Sequence, residues 1–328
     1  MKTLFDTTRL GSMSLKNRFI RAAVHEKLSQ NKIDDAVLYS YKKLAQGGVG
    51  TIITGFTLVD EAEKSFPLMA IYDDSFLDAH KNLVETVHEY NANIVLQLVY
   101  VGSYVMGAVG DAAILAPSAV ENRNTKVMPE EITVEQIKNI QAKFAEAVLR
   151  AKIAGYDGVE IHAAHGFLLS QFMTPYYNRR TDLYGGSAKN RTRMTLETCD
   201  GIREAVGGDF PIWVKINVTD GINDGVAFDD VLYLCGKLAK RKIDAIEISG
   251  AWQNLPKEAT SYFRKEAEMI AANHSVKVIL TGGNVNFREM KEILETTEVE
   301  YFGMARALIK EPDLINQFAK EVGVAPCN

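Results

Sequence analysis

Cysteine is scarce in this chain, and the three present (Cys199, Cys235 and Cys327) are scattered. That spacing indicates neither a disulfide framework nor a cysteine-built metal site. No apolar run reaches membrane-spanning length, and the opening Met1-Lys-Thr-Leu-Phe-Asp6 has no apolar signal core. A cytoplasmic location is the simplest expectation. Long runs of one charge are also missing. A formal net charge of −5 over 328 residues argues against a nucleic-acid or acidic-membrane partner. No Gly-x-Gly-x-x-Gly follows any strand-like run, so the dinucleotide fingerprint of an open doubly wound sheet is absent. No linker or low-complexity tract divides the chain, which is expected to form one domain over residues 1–328.

What is present is ample apolar content, 47% of residues, arranged in strand-like and helix-like runs that alternate along the chain. Strands are expected over residues 18–24, 49–54, 93–99, 156–161, 211–218, 243–249, 276–280 and 299–304. Helices are expected at 35–46, 75–90, 133–154, 187–206, 229–240, 260–272, 286–295 and 307–322. Thr133-Val-Glu-Gln136 resembles a capping box, and Gly155 stops the helix that follows it. Eight β-then-α units predict an α/β fold, a (β/α)8 TIM barrel. The stretch from 100 to 128, rich in Gly, Ala and Asn, reads as an active-site loop.

Chemistry is expected where polar residues interrupt apolar strands. His162 and His165 follow the strand Tyr156-Asp-Gly-Val-Glu-Ile161, at the strand end where barrel enzymes place their sites. The pair reads as a catalytic or binding element, a structural hydrogen-bonded pair, or two metal ligands. Gln97 is either an amide bonded to neighbouring strand ends or a partner for a flat heterocycle. Lys215, between Val214 and Ile216, needs an anion such as Glu160, a Schiff-base role, or an electron-accepting ring to face. Thr281-Gly-Gly-Asn284 and Gly303-Met-Ala-Arg306 follow strands seven and eight, where barrels often cradle a phosphate.

Taken together, these residues closely resemble the Old Yellow Enzyme family of FMN-dependent oxidoreductases over nearly the whole chain. The resemblance includes Leu15-Lys-Asn-Arg18, His162-Ala-Ala-His165-Gly, Asn178-Arg-Arg-Thr-Asp-Leu-Tyr-Gly-Gly-Ser187 and Asn190-Arg-Thr-Arg193. It implies FMN as a tightly bound cofactor and NADH or NADPH as reductant. Ala22, Ala23, Val24 and His25 then lie along the flavin ring with Phe56 near them. Gln97 pairs with the pyrimidine edge, Lys215 sits beside N1 and O2, and Gly283, Ala305 and Arg306 grip the phosphate. His162 and His165 hydrogen-bond the carbonyl oxygen of an α,β-unsaturated substrate, which takes hydride from the reduced flavin at its β carbon.

The chain departs from the family pattern on the substrate side. Phe167 replaces a common tyrosine, His25 and Lys27 replace other residues, and Tyr100-Val-Gly-Ser103 replaces His-Ala-Gly-Arg. Tyr100 and Tyr104 are the candidate proton donors, beside His25, Lys27 and ordered water. Lys27, Phe167 and Trp252 are expected to contact a small-molecule substrate that differs from simple enones. A barrel that binds FMN with little turnover is the alternative, and an aldolase or metal-dependent lyase a remoter one. The chain ends at Ala325-Pro-Cys327-Asn328, where longer relatives begin an iron–sulfur segment, so FMN is expected to be the sole prosthetic group. Homo-oligomers are common in the family, and one is an open expectation here.

Overall fold

The strands alternate in a way that separates two apolar layers. In a computed structural model describing residues 2–26, 31–63, 66–105, 113–251 and 260–325, eight parallel strands close into a barrel. They are β1 (Phe19–Arg21), β2 (Thr51–Ile53), β3 (Asn93–Val99), β4 (Gly158–Ala163), β5 (Ile212–Asn217), β6 (Ala245–Ser249), β7 (Lys277–Thr281) and β8 (Tyr301–Met304). Each pairs with the next, and β8 returns to β1 with Phe302 opposite Phe19. Because strand side chains point alternately to the two faces, Ile94, Leu96 and Leu98 of β3 face the outer helices while Val95 and Gln97 face inward.

Eight helices form the outer ring: Asp35–Gln46, Leu77–His88, Val134–Ala154, Arg193–Val206, Phe228–Lys240, Arg264–Asn273, Phe287–Thr296 and Leu314–Glu321. The third shows how the sequence specifies one. The Thr133 hydroxyl accepts from Gln136 N–H at 3.1 Å, and the Gln136 side chain accepts from Thr133 N–H at 2.8 Å. These bonds satisfy backbone donors that the first turn leaves orphaned. Ile137, Ile140, Phe144, Val148 and Ala151 then bury one face, and Gly155, at φ +92°, ends the helix.

Several boundaries differ from the sequence expectation. β4 continues through Ala163, so His162 lies within the strand, because its ladder with β5 extends to His162–Lys215 and Ala163–Ile216. The last expected helix is two, Arg306–Lys310 and Leu314–Glu321, with Pro312 between them. Proline has no N–H to continue the ladder. Short strands at Thr57–Leu58 and Met69–Ala70 extend the sheet beside β3.

Inside, the lower barrel is apolar. Ile20, Ile53, Val95, Trp213, Ala245, Ile279 and Tyr301 pack with Leu10, Met13 and Leu15 of an antiparallel hairpin (Thr8–Leu10 with Met13–Leu15) that closes the N-terminal end. Trp213 is fully buried, and truncating such a side chain to alanine costs about 3–5 kcal/mol. Directly above this layer the interior becomes polar.

Candidate active site

The polar layer is built from one inward position on each of four adjacent strands: Gln97, Glu160, Lys215 and Glu247, all essentially inaccessible to solvent. Gln97 Nε2 donates to Glu160 Oε1 at 2.5 Å, leaving Gln97 Oε1 buried and unpaired among the described residues. Lys215 Nζ donates to Glu247 Oε1 at 2.9 Å. Of the three readings of Lys215, the ion pair with a strand glutamate is present, with Glu247 rather than Glu160 as the partner. Strand register explains this, since Lys215 lies directly opposite Glu247, whereas its partner on β4 is His162. Glu160 Oε2 and Glu247 Oε2 have no hydrogen-bond partner among the described residues, though the charge of Glu247 reaches Glu160. Burial, then the charge of Glu247, pushes Glu160 well above the usual carboxylate range. Burial also works against Glu247, yet the Lys215 ammonium and its hydrogen bonds hold Glu247 below that range.

Above this floor stand the histidines. His162 is fully buried, and its Nδ1 accepts from Ala164 N–H at 3.2 Å. Burial, reinforced by nearby His165 and Lys215, keeps the ring neutral by lowering its pKa well below 6.5. A neutral imidazole that accepts at Nδ1 carries its proton on Nε2, and His162 Nε2 has no partner among the described residues. It is a buried donor without an acceptor.

His165 sits in the loop after β4 at φ +56°. Asn217 Oδ1 accepts its backbone N–H at 3.2 Å, and Ser249 Oγ lies 2.8 Å from its Nε2. Burial lowers its pKa to about 3. Phe56 packs against His162, His25 and Phe167 at ring-centre distances of 5.2, 6.0 and 5.3 Å, and Tyr104 packs on Phe167 at 5.5 Å.

The tyrosine candidates separate. Tyr104 is half-buried beside the histidine loop, whereas Tyr100 packs in the outer core with Leu168 and Leu169, away from the mouth. Burial pushes the Tyr100 phenol far up, and nearby Glu63 and Asp60 add to this. Glu63 caps the start of the loop after β3, accepting Val101 and Gly102 N–H groups at 2.8–3.0 Å. Lys27 and Trp252 lie outside the described residues, as do 106–112 of the loop expected over 100–128.

Beside the floor, the loops after β7 and β8 enclose a cavity of about 400 Å³ lined by Tyr262, Gly282, Gly283, Gly303, Ala305 and Arg306, among others. Asn284 Nδ2 ties the loops together, donating to Leu280 O at 2.6 Å and Gly303 O at 2.9 Å. Arg306 Nη2 is 3.4 Å from Tyr262 Oη, with the arginine exposed and the tyrosine half-buried.

A profile for the NADH:flavin oxidoreductase / NADH oxidase family matches residues 3–323. The chain belongs to that family. It is 34% identical over 97% of its length to a metal reductase from Desulforamulus reducens, covering 48% of that protein. With an NADH oxidase from Thermoanaerobacter brockii it shares 30% identity and covers 50% of it, so it spans about half the length of these curated relatives. An NADPH dehydrogenase from Listeria welshimeri is 30% identical with 99% of this chain and 95% of the relative covered. Morphinone reductase in complex with tetrahydroNAD superposes with a TM-score of 0.85 at 26% identity, over 99% of this chain and 92% of that one.

Membership in this family implies FMN, and the residues present fit it. Gln97 Oε1 is an unused acceptor for a ring N–H, Lys215 is a buried cation, and two glycine loops with an arginine border a cavity suited to a phosphate. Among the described residues no group of three or more His, Cys, Asp or Glu side chains is arranged to hold a metal. No helix among them is long and apolar enough to cross a membrane. Ser249, Asn217, Glu247 and Asn284 complete the site without having been anticipated in these roles. Glu247 carried the same signal as Lys215, a charged residue inside an apolar strand.

Proposed function

We propose that the chain is an FMN-dependent NAD(P)H oxidoreductase whose acceptor is an alkene conjugated to a carbonyl group, or a close electronic equivalent. The supporting observation is His162 Nε2–H, a buried donor without an acceptor among the described residues, above an inward-facing ammonium. Leaving such a donor unpaired costs about 1–3 kcal/mol, a cost that a ligand oxygen would remove.

The FMN, when bound, supplies two-electron chemistry between the reduced nicotinamide and the acceptor. The chain's own residues bind, orient and polarise. Gln97 and Lys215 would hold the ring's pyrimidine side, and Gly282, Gly283, Gly303 and Arg306 the phosphate. His162 donates to the substrate's carbonyl oxygen and stabilises the charge that develops there, a contribution of about 10²–10³ in rate for one such donor. His165, its Nε2 engaged with Ser249, has Nδ1 to offer from the other ring. Tyr104 is the proton donor in this reading, because it alone of the two tyrosines lies beside the histidine loop. The Phe56–Phe167 contact gives the mouth an apolar wall and selects flat, apolar acceptors.

A Schiff-base role fits Lys215 poorly, since an ammonium bonded to a carboxylate is not the free amine that condensation requires. The test is anaerobic titration of the yellow protein with NADH or NADPH, then reoxidation by a panel of enones, quinones and nitro compounds. Bleaching followed by recovery of colour with conjugated carbonyls is expected. Bleaching with recovery only by non-carbonyl acceptors would remove the substrate assignment.

A further inference from the structure

Barrel interiors are ordinarily filled with packed apolar side chains, and the lower layer of this one is. One layer higher it buries two carboxyl groups and an ammonium: Glu160 and Glu247 at 0% exposure and Lys215 at 2%. Apolar replacements for such a group are often neutral or stabilising, so the fold itself does not call for it. An ammonium has three donors, and the one bond seen to a carboxylate is to Glu247 Oε1. On the second carboxyl, Glu160 Oε1 accepts from Gln97. Glu160 Oε2 and Glu247 Oε2 have no hydrogen-bond partner among the described residues, and the charge of Glu247 acts on Glu160. Two buried carboxyl groups beside a single ammonium cannot both stay ionised at such a site, so one of them keeps a proton.

We propose that Glu247 is a positioning residue that keeps Lys215 charged and aimed across the barrel in both oxidation states of a bound flavin. Glu160 retains a proton, so that the three side chains are together neutral. This rests on the functional reading above. The other titratable groups near Lys215 are His162 and His165, both held neutral chiefly by burial. Gln97 on β3 and Asn217 on β5 do not titrate. Reducing the ring with dithionite adds two electrons and one proton and leaves one negative charge beside Lys215. In the proposed arrangement the trio neither gains nor loses a proton.

The test is the pH dependence of the flavin midpoint potential, read from visible absorbance on the FMN-loaded protein. The wild type is expected to follow one proton per two electrons across neutral and alkaline pH. In Glu247→Gln, Glu160 can give up its proton and take over as counter-ion. The decisive variant is therefore Glu160→Gln/Glu247→Gln, in which the buried ammonium has neither carboxylate left, sheds its proton beside the oxidised ring and regains it on reduction. The slope then steepens to two protons per two electrons, so the reduction equilibrium changes about tenfold more per pH unit than in the wild type. Glu160→Gln replaces a protonated carboxyl with a neutral amide, so the wild-type slope is expected. If the double variant keeps the wild-type slope, or Glu160→Gln alone steepens it, the proposal is overturned. Should the double variant fail to fold, Glu160→Gln/Glu247→Asp keeps one carboxylate and must keep the single-proton slope; a steeper one counts against the idea equally. A wild-type protein that binds no FMN would instead refute the functional reading.

Discussion

Replacing Gly283 with alanine tests the assignment of the loops after β7 and β8. Gly283 has φ +79°, where a side chain costs about 1–2 kcal/mol. An added Cβ would meet Tyr262 ring atoms at 2.7 and 2.8 Å and Ser261 N at 3.0 Å. The tyrosine ring can move only by leaving the wall where its hydroxyl lies 3.4 Å from Arg306. Both sides of the cavity therefore shift in Gly283→Ala. If displacing Tyr262 costs binding about 1–2 kcal/mol, FMN affinity falls about 5–30-fold. Gly323→Ala is the control, because φ there is +72° with nothing within 4 Å of the added Cβ. It carries similar backbone strain far from the cavity. FMN fluorescence quenching on the apo-protein, with thermal denaturation alongside, separates the two effects. A stability loss in both variants, larger in Gly283→Ala where Tyr262 must move, with weakened FMN binding in Gly283→Ala alone is expected. Wild-type FMN affinity in Gly283→Ala would refute the phosphate assignment.

Other consequences can be checked more briefly. His162→Ala should reduce kcat with an enone about 10²–10³-fold and weaken phenol-type inhibitors while FMN stays bound; loss of FMN instead would contradict its placement on the substrate side. Tyr104→Phe should slow the half-reaction with an alkene without altering flavin reduction by NAD(P)H, as stopped-flow absorbance would show; equal slowing of both would remove Tyr104 as proton donor. His80, buried with Nε2 at 3.0 Å from Ala70 O and Nδ1 at 2.7 Å from Tyr156 Oη, has its pKa lowered to about 4 by burial. The unfolded chain binds a proton there between pH 6.5 and 4 that the folded chain refuses. Stability should therefore fall as pH drops through that window, by about 3 kcal/mol from this site. Urea titrations at several pH values check this, and His80→Asn should flatten the slope.

Much of this was legible in the sequence because period-2 alternation exposes inward positions. Gln97 and Lys215 stand out where every neighbour is apolar, and that places both in the barrel. Which residue Lys215 pairs with was not legible, because Glu160 and Glu247 give identical signals and only the strand register decides between them. His162 reads as following its strand until the pairing of Ala163 with Ile216 shows the ladder continuing past it. Tyr100 and Tyr104 look equivalent in a glycine-rich run, yet the first turns into the outer core and the second toward the mouth. The loop roles of Asn217 and Ser249 depend on a backbone turn at His165 that no local pattern announces.

The hairpin under the barrel has a kinetic consequence. With Leu10, Met13 and Leu15 plugging one end, the barrel opens at the other among the described residues. On the function proposed above, reductant and acceptor then queue for the same berth, one departing before the other docks. Double-reciprocal plots at several fixed acceptor concentrations should run as parallel lines, and each reactant in excess should block the other competitively.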